Sequence, residues 1–272
     1  MKLLATALGL IILATFGCNR SNTRDSSEPQ VEVAYQLIDD GEYTQAIDLF
    51  WSLLQDDDTP TIRIGLASAY AARAGILVQS YWDLILPLIK TQPELQNENV
   101  VKLKKDWQLL ILKFPSDIQA VLIANEDKIF KAYQNLETIK ARFQKIPLLT
   151  RIDQVGDINM AKSIIKDVPS RGSHLYRALL SLTLIRYEAN ESISQFNNAI
   201  ASFDQSKPCP PQLKFWISHL ESISTITSDL IFDLKFSYPS KTTEIEPFEK
   251  EFKNHSEVIA GLNSFLKTNL CR

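Results

Sequence analysis

Glycine is scarce in this chain, at 8 of 272 residues. With so few, no glycine-rich loop can gather backbone N–H groups around a phosphate, and no G-x-S-x-G elbow is present. Histidine is scarcer, at 3. His174, His219 and His255 lie far apart, and none falls in a metal-ligand spacing such as H-E-x-x-H. The 32 acidic residues carry no motif that selects two of them for general acid/base work. Asp39-Asp40 and Asp56-Asp57-Asp58 lack the alternating ligands and internal glycine of an EF-hand loop, and read as solvated turns. No lysine or arginine block stands out against a formal charge of −3, which argues against nucleic acid as the main partner. Beyond residue 17, no apolar run approaches the roughly 20 residues that span a bilayer. Runs that alternate β-branched and polar residues, the mark of strands, are missing too. No catalytic residue, metal or cofactor is nominated, and the chain is expected to bind rather than to catalyse.

What remains is helix. Helix-favouring residues dominate, so the class is all-α. The rest of the chain can be placed relative to residues 31–75. Ala34, Leu37 and Ile38 make a short apolar face, and Asp39-Asp40-Gly41 ends it. Glycine suits such a stop, because the terminal turn needs a positive φ. After it, Tyr43, Ala46, Ile47, Phe50, Leu53 and Leu54 recur at intervals of three and four, which puts them on one face of a second helix. The run 56–60, with Pro60, ends that helix. A third face follows: Ile62, Leu66, Ala69, Tyr70 and Ala74.

Ala34 matches Ala67 and Leu37 matches Tyr70, each 33 residues apart. A period near 34 built from helix pairs is the tetratricopeptide signature. On these residues, with Gly41, Tyr43, Ala46-Ile47 and Phe50 at the family's relative positions, residues 31–89 resemble a tetratricopeptide repeat and the start of the next. The resemblance implies stacked antiparallel helix hairpins, a tetratricopeptide-like solenoid, with divergent C-terminal helices. Ala34 would let the two helices approach, and Leu37 and Tyr70 would fill the space between them. Gly156-Asp157-Ile158, with Ala161 beyond, echoes Gly41-Glu42-Tyr43 and is read as a worn repeat.

The N-terminus carries a second resemblance. Met1-Lys2, an apolar run at 3–16 and then Gly17-Cys18 resemble a bacterial lipoprotein signal, although Thr15 and Phe16 depart from the usual residues. It implies removal of residues 1–17, acylation of Cys18 and anchoring to a membrane through that lipid. Asn19, rather than Asp, points to the outer membrane, facing the periplasm. Plain secretion with an unacylated Cys18 is the alternative. Residues 19–30 hold no apolar residue and are expected to form a flexible tether, with the folded domain at 31–272.

Further helices are expected at 99–113, from Asn125 toward Pro147, at 173–187 (apolar on most sides and therefore central), at 193–203, 213–232 and 246–270, with a loop at 236–240. Pro87 is expected to kink or break the helix that follows Gly75. If Cys18 carries lipid, Cys209 and Cys271 remain. They are read either as a disulfide clipping the last helix to the body, contributing roughly 4 kcal/mol at most in the chain-entropy picture, or as two unpaired thiols. Two aromatics, Tyr35 and Trp51, fall off their apolar stripes and are the candidate partner-binding residues. The functional expectation is a lipid-anchored interaction or scaffold module of the bacterial cell envelope with a protein or peptide partner. The alternative is an accessory solute-binding component of an envelope transport system.

Overall fold

A computed structural model describes residues 28–77, 97–113, 116–201 and 211–269. Among the described residues the protein is all-helical, without a strand. The helices are α1 (Glu28–Asp39), α2 (Tyr43–Asp56), α3 (Pro60–Arg73), α4 (Asn97–Ile111), α5 (Ser116–Ala124), α6 (Glu126–Arg142), α7 (Ile152–Ile164), α8 (Arg171–Ala201), α9 (Pro211–Ser237) and α10 (Thr242–Asn269). A 3-10 turn, Pro239–Lys241, joins the last two. Cys18, Cys209, Cys271, Pro87 and the second half of the expected second repeat lie outside the described residues.

α1 begins at Glu28, so three residues expected in the tether form its first turn. An acid at the positive helix end and a proline inside the first turn are both favourable there. Gly41 ends α1 at φ +82°, with Glu42 N–H donating to Leu37 O at 2.8 Å. Gly75 ends α3 in the same way, at φ +86° with Ile76 N–H donating to Ala71 O at 2.8 Å. Both are left-handed caps that return orphan carbonyls to the hydrogen-bond ladder. Thr59 caps the start of α3, its hydroxyl accepting from Ile62 N–H, with Pro60 at the first helical position.

α1, α2 and α3 pack as successive antiparallel helices. Ala34, Ala46, Phe50, Leu66 and Ala67 are wholly buried between them. Gly65 lets α2 and α3 approach: a Cβ there would meet the Phe50 ring at 2.4 Å. The next neighbour of α3 is α7, which runs antiparallel to it. At one end Arg63 Nη1 donates to Ile164 O at 3.1 Å, and at the other Gln154 Nε2 donates to Ala74 O at 3.1 Å. Gly156 lies inside α7 rather than in an inter-helix turn, so the expected echo of Gly41 fails at that position. Ile158 and Ala161 beside it are fully buried core residues of α7.

α8 is the central element. Its 31 residues form one helix, where two were expected, because the polar stretch after Tyr187 contains no helix breaker. Residues 176–185 are buried on every side. α9 lies antiparallel along it: Arg171 meets Ser237 at one end, and Phe196 meets Trp216 at 4.4 Å at the other. α10 returns antiparallel to α9 and packs on α6, where buried Arg142 donates through Nη2 to both carboxylate oxygens of Glu251, at 3.0 and 2.9 Å. α4 rests on α6 and α8 through Trp107, whose ring meets Phe130 edge-on at 6.4 Å and stacks with Phe196 at 6.2 Å.

Candidate partner-binding surface

Trp51 sits on α2, one residue past Phe50. That offset turns it away from the buried stripe, and it stays 37% exposed. It is not loose: its indole Nε1 donates to the Tyr70 hydroxyl of α3 at 3.1 Å. Tyr70 is half-buried and carries the Arg73 guanidinium over its ring at 5.1 Å. Arg73 in turn grips Asp157 of α7 through Nε (2.9 Å) and Nη2 (2.7 Å). This pairing holds the Arg73 guanidinium above its ordinary range. A continuous row of aromatic and charged groups, Trp51–Tyr70–Arg73–Asp157, thus crosses three helices. Each member is fixed by its neighbour, so the exposed indole is presented with little rotamer freedom left to lose on binding.

Tyr35 has a different setting. It is half-buried, its ring edge-on to Phe50 at 5.3 Å, and burial raises its phenol pKa. The structure does not join it to the Trp51 row. Its ring packs in the α1–α2 hairpin against Phe50.

Among the described residues a dense polar cluster gathers on Asp233, and no sequence motif marks it. Asp233 of α9 is buried and accepts from Arg177 of α8 through Nε at 3.2 Å and Nη2 at 2.6 Å. His174 Nδ1 lies 2.7 Å from the same carboxylate. Arg177 Nη1 donates to the carbonyls of Ile165 and Lys166, at the negative end of α7. Ser237 donates its hydroxyl to Asp233 O at 2.7 Å, and the same Oγ lies 3.2 Å from Arg171 O. Every partner belongs to α7, α8, α9 or their connections, so the cluster clamps three helices together. The Phe236 ring stacks on His174 at 3.7 Å and closes the outer side. The signal available in the sequence was a histidine and an arginine three residues apart in an otherwise apolar helix. His219 pairs with Glu188 between α8 and α9, and the side chain of His255 lies outside the described residues.

The acidic turn before α3 is also structural. Asp58 takes a bidentate pair from Arg63, which holds its carboxyl below the usual range. Among the described residues no group of three or more His, Cys, Asp or Glu side chains stands close enough to hold a metal ion, and no helix is long and apolar enough to cross a membrane.

Fold and surface together define an all-α protein of antiparallel helices presenting an anchored exposed tryptophan. Comparison with family models, curated proteins and solved structures finds no match to this chain.

Proposed function

We propose that this chain is a lipid-anchored interaction module of the bacterial cell envelope, a tetratricopeptide-like set of helix pairs that holds a protein or peptide partner near the membrane. It binds and carries out no reaction of its own. The observation that supports this reading is Trp51, a large aromatic kept at the surface and fixed in place by Tyr70. Tryptophan is enriched among the residues that dominate binding energy at protein interfaces. Arg73 and Asp157 beside it supply a charged rim, and such rims set register and encounter rate more than affinity. Under this reading Cys18 carries the lipid, and the module sits at the outer membrane facing the periplasm.

Affinity capture from envelope extracts tests it. The wild-type chain is expected to recover one protein reproducibly, and Trp51→Ala to lower its recovery by at least ten-fold, since hot-spot truncation costs about 2 kcal/mol or more. Equal recovery by Trp51→Ala contradicts the assignment of this surface. The mass of the mature N-terminus tests the anchor separately: acylated Cys18 supports it, and an unmodified Cys18 contradicts it.

A further inference from the structure

We infer that the outward face of α4 is a membrane-contact surface that takes anionic lipid headgroups. The inference deepens the reading of the chain as lipid-anchored, since the anchor would bring this face within reach of the bilayer. α4 turns Trp107 and Ile111 inward, and both are buried. At 3.6 residues per turn, the opposite side carries Val101, Lys102, Lys105 and Leu109, with Leu112 and Lys113 just past the last turn. All six are exposed, and the apolar three strongly so: Val101 at 56%, Leu109 at 64% and Leu112 at 69%. The neighbouring helix continues the patch. Gln119 of α5 donates to Leu112 O at 3.5 Å, and Ile123, one turn further along the same side of α5, is 57% exposed.

A solvated helix face would be polar at these positions. Here apolar and lysine side chains alternate around one face, with Glu98 the acid that the same spacing places at its N-terminal end. Lysine stems lie along apolar surface while their ammonium groups reach outward, which suits the boundary between acyl chains and headgroups. The charge is local, because the whole chain has a formal charge of −3. Asp106 stands at one margin of the face. Lys104, on the other flank, is drawn inward, with its Nζ 3.9 Å from Glu126 and over the Phe130 ring at 5.8 Å. The chain from Cys18 to the start of α1 at Glu28 can span at most about 35 Å when extended, so a body held by that lipid stays close to the headgroup layer.

Co-sedimentation with vesicles tests the inference, using the chain from residue 18 with Cys18→Ser, which keeps every described residue and carries no lipid. Binding is expected to vesicles of phosphatidylcholine with phosphatidylglycerol, to be weak to phosphatidylcholine alone, and to fall as salt is raised. Lys102→Glu with Lys105→Glu is expected to lower the partition coefficient by at least about 25-fold, taking about five-fold per lysine. Leu109→Ser with Leu112→Ser is expected to lower it by a similar factor, with unchanged thermal unfolding because all four positions are exposed. An environment-sensitive fluorescent amino acid at position 109 is expected to shift to the blue on anionic vesicles, and one at position 253 to stay unchanged. No binding, equal binding by the variants, or equal shifts at the two positions overturns the inference. An acylated Cys18 with no vesicle binding removes this surface and leaves the anchor standing; vesicle binding with an unmodified Cys18 does the reverse.

Discussion

Phe50 shows how little room the first hairpin leaves. Its ring is fully buried, met on one side by Tyr35 and on the other by the bare backbone of Gly65. Gly65→Ala gains up to about 1 kcal/mol of helix propensity but forces the ring from its seat, an overpacking cost of about 1–3 kcal/mol. The expected result is a net loss of stability by urea unfolding, recovered in part by adding Phe50→Leu; a stabilised Gly65→Ala would contradict the close approach. The two candidate aromatics separate at this scale as well. Tyr35→Ala removes an edge-to-face contact and buried area, and is expected to cost about 2–4 kcal/mol. Trp51→Ala removes a surface side chain and is expected to cost less than about 1 kcal/mol. Trp51 is therefore the position where a loss of partner binding can be read without a loss of fold.

Between elements, two kinds of tie hold the helices, and their strengths should differ. Arg73–Asp157 joins α3 to α7 near the surface, and a double-mutant cycle is expected to give under about 1 kcal/mol. The Asp233 cluster joins α7, α8 and α9 in the interior. Asp233→Ala strands a buried guanidinium and is expected to cost about 3–5 kcal/mol, whereas replacing Asp233, Arg177 and His174 together by apolar residues of similar volume should restore most of it. A loss below about 1 kcal/mol for Asp233→Ala would show that the cluster is not the clamp. These ties also explain what the sequence made legible. Periodicity within a few turns located α1, α2 and α3 and marked α8 as central, because burial on one face or all round leaves a local pattern. The antiparallel seating of α7 on α3 left none. It depends on Arg63 and Gln154 reaching backbone carbonyls 101 and 80 residues away in sequence. Nothing adjacent to Asp233 distinguishes it from the other acids, and Gly156 looked like a turn only because helix interiors also tolerate glycine. Of the surface, Trp51 was legible as an aromatic off its stripe, but its hydrogen bond to Tyr70 was not.

For the molecule as a whole, burial raises the phenol pKa of Tyr35, Tyr133, Tyr176 and Tyr187. Each keeps its proton in the folded state after the unfolded chain would release it, near pH 10.0. Their contribution is fully present below that pH and is lost as pH rises above it. Stability measured from pH 8 upward is therefore expected to hold to about 10 and then to fall, with the loss reduced in Tyr133→Phe. A flat profile through pH 11 would contradict the burial of these phenols. The larger proposal is that this body of antiparallel helices holds a partner at the Trp51 face. Site-specific photo-crosslinking in intact cells tests it most directly, with a photoreactive amino acid at position 51 and a control at exposed Lys253. One discrete protein adduct from position 51 and none from 253 is the predicted result. No adduct from position 51, or the same adducts from both positions, would contradict it.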